Sequence, residues 1–224
     1  MGWFRKRERV RFDYVHDIHS HVLPGVDDGV RTFGEAIAVL KRLFELGVRR
    51  VTSTPHVYFP ALMNGRDNLT PLLEDLRAGL REEGVGIELE LGAEYRVGEY
   101  MLNLIDRGEI LSGDSRRVLV EHNFLSPSPF FDQVVFELQS RGYEVVLAHP
   151  ERYAFWEGDV VRHVEELKNK NCCVQVNILS FAGYHGKEAQ RGAGKLHEAG
   201  LIDYYAGDVH GMRHVEAIKE FLKG

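Results

Sequence analysis

One short stretch near the start of the chain concentrates side chains that bind protons or metal ions. The segment HDIHSHVLPGVDDG, residues 16–29, holds three histidines and three aspartates around a single Pro-Gly turn. His19 and His21 are separated by one residue, so a β-strand would place both rings on the same face. Two histidines spaced in this way more often have a structural role than bind a metal, so their function has to be judged together with the rest of the chain.

More histidines and carboxylates follow at intervals of roughly one βα unit. Between His21 and His149 the successive intervals run from about 27 to 38 residues. The later candidates are His56, Glu94, Glu121, His149, Asp208 and His210. Each lies where a run of β-forming residues is predicted to end. Because the ends of parallel strands lie on one side of a sheet, these side chains are expected to converge.

Short β-rich runs alternate with amphipathic segments along the chain, which is the pattern of βα units around a parallel sheet. The predicted strands are 14–19, 48–55, 87–94, 117–123, 144–150, 173–179 and 202–208. The predicted helices are Phe33–Glu45, Asn68–Glu83, Glu99–Asp106, Phe130–Arg141, Val160–Lys170, Glu188–Ala199 and Arg213–Leu222. Periodicity alone does not separate an open sheet from a barrel. Convergence of the polar residues favours the barrel, whose strand ends surround one mouth.

Composition limits the classes of protein that remain. A chain of 224 residues with 44% hydrophobic and 28% charged residues fits one globular domain over 1–224. The net charge of -6 disfavours nucleic acid as a partner. No run reaches the roughly 18 apolar residues of a membrane span, although the basic opening MGWFRKRERVR could contact a membrane peripherally. The adjacent Cys172 and Cys173 suit a reducing cytoplasm.

The mixture of histidine and carboxylate without thiolate suits Mn, Fe, Zn, Ni or Co. One ion needs three or four ligands, so this many candidates predict two or three ions that share a bridging carboxylate. Asp27 or Asp28, just past the Pro-Gly turn, could add a ligand. Taken singly, each residue has an ordinary alternative as a hydrogen-bonded loop histidine or as a carboxylate paired with arginine.

Six segments together resemble the polymerase-and-histidinol-phosphatase (PHP) family. They are DIHSHVLPGVDDG (17–29), TPH (54–56), GAEY (92–95), LVEHN (119–123), LAHPERY (147–153) and GDVH (207–210), in the family's order. Within that family they are most similar to bacterial manganese-dependent tyrosine-protein phosphatases encoded with capsule and exopolysaccharide genes. The resemblance implies an α/β fold, a distorted TIM-like barrel of seven βα units. It also implies hydrolysis of phosphotyrosine on a partner protein, a tyrosine autokinase that controls polysaccharide export.

Carried onto the matching positions, the resemblance implies three ions, with manganese as the first choice of metal. The implied ligands are His19, His21, Glu94 and Asp208 for one ion, Glu94, Glu121 and His149 for a second, and Asp28, His56 and His210 for a third. Glu94 would bridge two ions. The choice of Asp28 over Asp27 and the partition among the ions stay open. Relatives often read SDxH where this chain has Gly207 before Asp208, which leaves both implied ligands in place.

Clustered divalent ions would neutralise phosphate oxygens and lower the pKa of a bound water, which then attacks phosphorus in line with the leaving phenolate. Arg152 and Arg213 are candidate catalytic residues, because a guanidinium offers a rigid fork to phosphate oxygens. The alternatives are that Arg152 forms a cap or pairs with a neighbouring carboxylate such as Glu151, and that Arg213 has a purely structural role. Asn177, at the sixth strand's end, is a weaker candidate for a substrate contact, and Tyr58-Phe59 could line a groove for an aromatic substrate.

Two further reaction classes can be weighed from the sequence. Cysteine-based phosphatase chemistry is excluded, because Ile178 and Leu179 rather than arginine stand six places after Cys172 and Cys173. Another PHP phosphoesterase, such as a histidinol-phosphate phosphatase, and a non-catalytic metal-bound module that recognises a partner remain as alternatives. The LPGVDDG and HPERY segments favour the tyrosine phosphatase, and the complete set of ligand positions disfavours the non-catalytic module.

Overall fold

The structure, a computed structural model, describes residue 12 and residues 14–223. The basic segment MGWFRKRERVR lies outside the described residues, so its contact with a membrane stays a prediction. Among the helices that the structure does describe, none has the length and hydrophobicity needed to cross a bilayer.

The described part of the chain contains ten strands and eight helices. The strands are β1 (His16–Ser20), β2 (Arg50–Ser53), β3 (His56–Tyr58), β4 (Leu62–Met63), β5 (Glu88–Leu91), β6 (Glu94–Arg96), β7 (Arg117–Glu121), β8 (Glu144–Ala148), β9 (Cys173–Asn177) and β10 (Tyr204–Ala206). The helices are α1 (Phe33–Glu45), α2 (Arg66–Glu82), α3 (Glu99–Arg107), α4 (Phe131–Ser140), α5 (Val160–Lys168), α6 (Ile178–Phe181), α7 (Lys187–Glu198) and α8 (Met212–Lys223). Short 3-10 helices cover Pro150–Arg152 and Ala154–Trp156. All seven predicted helices are present, each with ends within about two residues of the prediction.

Two of the predicted strands are shorter than expected, and each is followed by a second short strand. The predicted strand 48–55 contains β2, and β3 begins just after Pro55; the predicted strand 87–94 contains β5 and the first residue of β6. Pairing survives the break, because β2 pairs with β5 and β3 pairs with β6, both in parallel. Proline has no N–H to donate to a ladder, but its carbonyl still accepts a hydrogen bond from the backbone N–H of Glu94 at 3.1 Å.

The strands follow one another around a distorted barrel. One sheet has the order β1-β2-β5 and the other has the order β10-β9-β8-β7-β6-β3-β4. Backbone bonds join the first strand to the residues after the last strand, from His21 N to Val209 O at 2.8 Å and from Asp208 N to His19 O at 2.9 Å. The α/β barrel predicted from the sequence is therefore confirmed as the fold class, with the carboxyl ends of the strands on one rim.

Alternate residues of β7 and β8 face opposite sides of the sheet, as the pleat requires. Val118, Val120, Val145 and Leu147 pack in the large outer core beneath the helices. Leu119, Val146 and Ala148 form a separate small cluster. Helix α1 contributes a buried stripe to the outer core, and its first turn is capped by the Thr32 side chain, which accepts a hydrogen bond from Glu35 N. Each fully buried aliphatic side chain of this kind stabilises the fold by about 1.5 to 3 kcal/mol.

Besides the 3-10 helices, a short strand and a short helix were not predicted. The β4 strand pairs antiparallel with β3 and turns the chain after Tyr58 into a small hairpin over the rim. Helix α6 begins directly where β9 ends, and its apolar sequence reads as a continuation of that strand. Periodicity cannot identify elements of two and four residues, since each spans only about one period and a pattern must repeat to be recognised.

Candidate metal centre

The rings of His19 and His21 are fully buried at the end of β1 and face one another, with their Nε2 atoms 3.2 Å apart. Each ring is held from its other nitrogen. Nδ1 of His19 lies 2.9 Å from Gln175 Oε1, and Nδ1 of His21 lies 2.8 Å from Asp27 Oδ2. Such a hydrogen bond behind an imidazole fixes the ring's orientation and leaves the opposite nitrogen for a metal.

Glu94, the first residue of β6, lies at the centre of the cluster and is 1% exposed. Its Oε2 atom is 3.2 Å from Nε2 of His19 and 3.4 Å from Nε2 of His21. The same oxygen is 3.0 Å from Nδ1 of His56. Its Oε1 atom lies 2.8 Å from Nε2 of His149. One carboxylate therefore contacts four imidazoles from three different strand ends.

Two of the candidate ligands have a left-handed backbone, which is uncommon for residues other than glycine. His149 has φ 35° and Asp208 has φ 48°. Such a conformation destabilises the chain by about 1 to 3 kcal/mol and is found mostly at functional sites. His149 stands directly after β8, and Asp208 follows β10 after one intervening residue, Gly207. At Asp208 the conformation is supported by the bond from its N–H to His19 O at 2.9 Å.

The structure separates the two adjacent aspartates that the sequence left open. Asp27 lies behind the histidines, because it accepts hydrogen bonds from Nδ1 of His21 at 2.8 Å and from His56 N at 3.1 Å. Asp28 faces the cluster, with Oδ1 3.4 Å from Nε2 of His56 and 3.4 Å from Nε2 of His210. The geometry therefore favours Asp28 as the ligand and Asp27 as the residue that orients His21.

All nine predicted ligands come together in four overlapping groups, within each of which the potential ligand atoms lie within 4.8 Å of one another. The groups are His21, Asp28, His56 and His210; His19, Glu94 and His149; His19, His21 and Asp208; and His56, Glu94 and Glu121. His149 and Glu121, predicted to share an ion, are 4.0 Å apart at their nearest nitrogen and oxygen. That these residues bind metal stays a prediction.

Several buried atoms of the cluster have no hydrogen-bond partner among the described residues. They are Nδ1 of His56, Oε2 of Glu94, Oε2 of Glu121 and Nδ1 of His149. A buried polar atom left unpaired destabilises a fold by about 1 to 3 kcal/mol. Nitrogen and carboxylate oxygen are ligand atoms for first-row divalent ions. The donor set therefore fits a divalent metal cluster.

Burial and neighbouring charges shift the pKa values of several side chains in the cluster. Burial opposes a charge on His56, but the nearby Glu94 and Asp28 outweigh it and raise the pKa of His56 to about 10. Burial and repulsion from Glu94 raise the pKa of Glu121 to about 7, although Arg96 acts in the opposite direction. Burial lowers the pKa of His149 to about 4. His149 is thus neutral at pH 7 and ready to bind a cation, whereas His56 must first lose a proton.

Arg152 pairs with a carboxylate of the cluster. Its Nη1 donates to Oδ2 of Asp208 at 2.8 Å, and its guanidinium lies 4.7 Å from the centre of the Phe124 ring. The alternative expected for Arg152, a pair with a neighbouring carboxylate such as Glu151, takes the form of a pair with Asp208. Glu151 points away from Arg152 and accepts hydrogen bonds from Ser180 Oγ at 2.7 Å and from Asn177 N at 3.0 Å.

The other predicted substrate contacts lie in different surroundings. Arg213 is exposed in the first turn of α8, and none of the hydrogen bonds or ion pairs found within residues 14–223 involves its side chain. Both polar atoms of the Asn177 side chain are occupied by protein partners. Tyr58 lies under the Arg96 guanidinium, 5.0 Å from it, while Phe59 is 62% exposed and packs 5.5 Å from the Tyr100 ring.

Sequence reasoning missed two fully buried polar residues below the cluster. Asp17 accepts hydrogen bonds from the Tyr14 hydroxyl at 2.6 Å and from Gly207 N at 2.9 Å, so it holds the start of the GDVH turn against β1. Gln175 lies behind His19. An available signal was the single amide inside the apolar run CVQV, since a polar residue in a buried strand needs partners.

An open cavity of about 860 Å³ lies beside the cluster. Arg152, Phe124, His185, Arg191 and Lys195 are among the residues that line it, and Arg152 contacts the candidate ligand Asp208. A protein segment bound at the cluster could extend into this cavity.

Comparison with known proteins identifies the family of this chain. The family model described as "Capsular polysaccharide synthesis, CpsB/CapC" matches residues 15–218. The chain is 29% identical to the tyrosine-protein phosphatase YwqE of Bacillus subtilis, over 88% of this chain and 78% of that protein. It is 27% identical to the tyrosine-protein phosphatase CpsB of Streptococcus pneumoniae, over 88% of this chain and 83% of that protein.

Solved structures show the same relationship. A structure from the work on YwqE of Bacillus subtilis and CpsB of Streptococcus pneumoniae, described as unique metal-dependent tyrosine phosphatases, matches with a TM-score of 0.83 and 27% identity, covering 93% of this chain and 86% of that chain. A histidinol phosphate phosphatase from Lactococcus lactis matches with a TM-score of 0.55 and 12% identity, over 94% of this chain and 93% of that chain, and shares the fold. The family resemblance recognised in the motifs is confirmed, and the chain belongs to the CpsB/CapC family of capsular polysaccharide synthesis.

Proposed function

We propose that this chain is a metal-dependent protein-tyrosine phosphatase, a phosphoric monoester hydrolase that acts on phosphotyrosine in proteins. The relatives with this name align along most of the chain. The single observation that carries the proposal is the placement of Glu94 within 3.4 Å of four histidines from three different strand ends. Metal binding explains so dense a cluster better than fold stability does, because the cluster leaves buried polar atoms unpaired, and such atoms destabilise a fold.

The residues that would hold the ions are the nine of the four overlapping groups, with His19, His21, His56 and Glu94 each belonging to two groups. Two or three divalent ions fit this sharing, and manganese is the proposed metal, with Fe, Zn, Ni or Co as alternatives. When bound, the ions supply positive charge that neutralises phosphate oxygens and lowers the pKa of water.

Arg152 is proposed to bind the substrate's phosphate at the edge of the cluster. A guanidinium has five N–H donors, and its one hydrogen bond found within residues 14–223 goes to Asp208. The guanidinium also packs against Phe124, 4.7 Å from the ring centre, and its remaining donors are proposed to bind the phosphate oxygens. Arg213 is proposed as a second, weaker phosphate contact, which its exposed position at the start of α8 permits. The Phe59 and Tyr100 rings offer an apolar surface to the phenyl group of a phosphotyrosine.

The finer features of the function belong to the same proposal. The phosphotyrosine-bearing partner is proposed to be a tyrosine autokinase that regulates capsule or exopolysaccharide synthesis, in line with the family's description. The two free thiols, Cys172 and Cys173, fit a cytoplasmic location. Residues 1–224 are proposed to form one domain, since one hydrophobic core extends from Tyr14 to Ile218.

Hydrolysis assays with purified protein test the proposal. Protein stripped with a chelator should be inactive, and added Mn2+ should restore hydrolysis of a phosphotyrosine peptide. The same protein should act far more slowly on histidinol phosphate and on a phosphoserine peptide. Preference for histidinol phosphate would show another phosphoesterase of the same fold, and absence of any metal-dependent hydrolysis would refute the proposal.

A further inference from the structure

Strand β9 contributes none of the nine candidate ligands to the rim of the barrel. It instead carries two amide side chains, Gln175 and Asn177, which are separated by one residue and so share a face of the strand. Both residues are 0% exposed. A buried amide needs partners for its oxygen and for its nitrogen, and the partners found here are candidate metal ligands.

Four side chains form one continuous hydrogen-bonded chain below the cluster. Nδ1 of His19 lies 2.9 Å from Oε1 of Gln175. The Gln175 Nε2 group donates to Oδ1 of Asn177 at 2.7 Å. The Asn177 Nδ2 group in turn donates to Oδ2 of Asp208 at 2.7 Å. A candidate ligand on β1 is thereby joined to the candidate ligand that follows β10.

The carboxylate at one end determines the direction of every donor in this chain. An ionised carboxylate only accepts hydrogen bonds, so Asn177 must present its NH2 group to Asp208 and its oxygen to Gln175. Gln175 must then present its NH2 group to Asn177 and its oxygen to His19. This oxygen can only accept, so the proton of a neutral His19 ring must lie on Nδ1. The Nε2 atom then carries the lone pair, and it faces Glu94 Oε2 at 3.2 Å.

At the other end, the chain of bonds divides the two oxygens of Asp208 between different tasks. Oδ2 accepts from Asn177 at 2.7 Å and from Arg152 at 2.8 Å. Oδ1 instead faces the histidines, 3.4 Å from Nε2 of His19 and 3.4 Å from Nε2 of His21. One oxygen is therefore held by the protein while the other points to the space where an ion would be bound.

We infer that Gln175 and Asn177 are positioning residues of the metal centre, which hold His19 in its Nδ1–H form and keep Oδ1 of Asp208 free for the same ion. The inference rests on the metal centre proposed above. It also accounts for Asn177 without a substrate contact, because both polar atoms of that side chain are already used. The group His19, His21 and Asp208 is the one that would lose its order if the pair were removed.

Three variants and one control test the inference. Gln175→Leu removes the acceptor for His19, Asn177→Leu removes the donor for Asp208, and Gln175→Glu keeps an acceptor for His19. Gln139→Leu is the matched control, because it deletes an amide that bonds to the carbonyls of Lys170 and Asn171 on the outer surface. The first readout is the affinity of the metal-free protein for Mn2+, measured by competition with a chelator. The second is the imidazole NMR spectrum of the zinc-loaded protein, with His19 assigned by its substitution.

The Leu variants at 175 and 177 are expected to bind Mn2+ about 10- to 100-fold more weakly, the usual effect of removing a group that orients a metal ligand. The control should bind like the wild type. A slowly exchanging Nδ1–H of His19 should be present in the wild type and in Gln175→Glu, and lost in Gln175→Leu. If Gln175→Leu does not fold, the wild-type and Gln175→Glu spectra decide the question.

Three results would contradict the role inferred for Gln175 and Asn177. Binding of zinc by His19 through Nδ1 in the wild type would overturn the inference, as would loss of the Nδ1–H signal in Gln175→Glu. Folded Leu variants with wild-type Mn2+ affinity would also overturn it while leaving the metal centre intact. A wild-type protein that binds no Mn2+ at all would instead refute the proposed metal centre itself.

Discussion

Replacing Glu94 with glutamine should remove most of the metal-dependent activity while preserving the shape of the side chain. Glu94 is a member of two of the four groups of candidate ligands, and its two oxygens contact four histidines at 2.8 to 3.4 Å. Glutamine has no negative charge to offset the cations, so the ions of both groups should bind weakly. Clustered ions contribute several kcal/mol to phosphoryl transfer. A loss of about 4 kcal/mol corresponds to a decrease of about a thousandfold in kcat/KM.

The assay compares metal content by elemental analysis and phosphotyrosine hydrolysis in wild type and Glu94→Gln. Glu90→Gln is the matched control, because Glu90 is also buried but lies on β5, where it pairs with Thr52 and Arg50 rather than with the cluster. The control should keep its metal and its activity. A folded Glu94→Gln protein with wild-type metal content and rate would refute the central role assigned to this carboxylate.

Three further predictions concern phosphate binding and protonation. Arg152→Ala should raise KM for a phosphotyrosine peptide about 10- to 100-fold, the effect of one charge-assisted hydrogen bond, and steady-state kinetics showing unchanged KM and kcat would reject that contact; exposed Arg213→Ala should have the smaller effect. Because the pKa of His56 is raised to about 10, a metal must displace its proton. The affinity for Mn2+ should therefore rise with pH between about 7 and 9. Calorimetry in buffers of different ionisation enthalpy should detect the released proton. Burial lowers the pKa of His122 from 6.5 to about 4, so the stability that comes from its neutral ring is present above pH 6.5 and lost as pH falls to 4. His122→Asn, which keeps an acceptor for Ser128 N, should therefore reduce the acid-induced loss of unfolding free energy by on the order of 3 kcal/mol. Identical stability–pH profiles of the two proteins would contradict this.

The convergence of distant residues could be predicted because strand ends in a parallel barrel share one rim. His149 and Asp208 are separated by many residues, yet each lies within two residues of a strand's end, and the structure brings their side chains to the same cluster. The rule uses only the order of strands and the position of a residue within its βα unit. The rule also holds where the strands are interrupted at Pro55 and near Gly92, because the paired segments are interrupted at the same level.

The roles within the loops could not be predicted in the same way. Asp27 and Asp28 follow the same turn, and their directions depend on backbone bonds such as Val30 N to His21 O at 3.1 Å. Gly29 allows this close approach, since a Cβ there would lie 2.2 Å from His21 O. Contacts of this kind depend on the three-dimensional path of the loop, so the residue types alone left both aspartates open.

The partner of Arg152 illustrates the same limit. The sequence places Glu151 beside it, but neighbours in sequence point in different directions once the chain turns at His149, whose φ is 35°. The short 3-10 helix that follows directs Glu151 toward Ser180, and Arg152 toward Asp208 from the last βα unit. A pairing between residues 56 positions apart is a property of the folded barrel.

Anomalous X-ray scattering from crystals grown with Mn2+ would test the metal centre most directly. We expect two or three manganese peaks at the rim of the barrel, one of them within coordination distance of His19 Nε2, Glu94 and Asp208 Oδ1. An anomalous map without a peak near these atoms, in crystals containing excess Mn2+, would contradict the account.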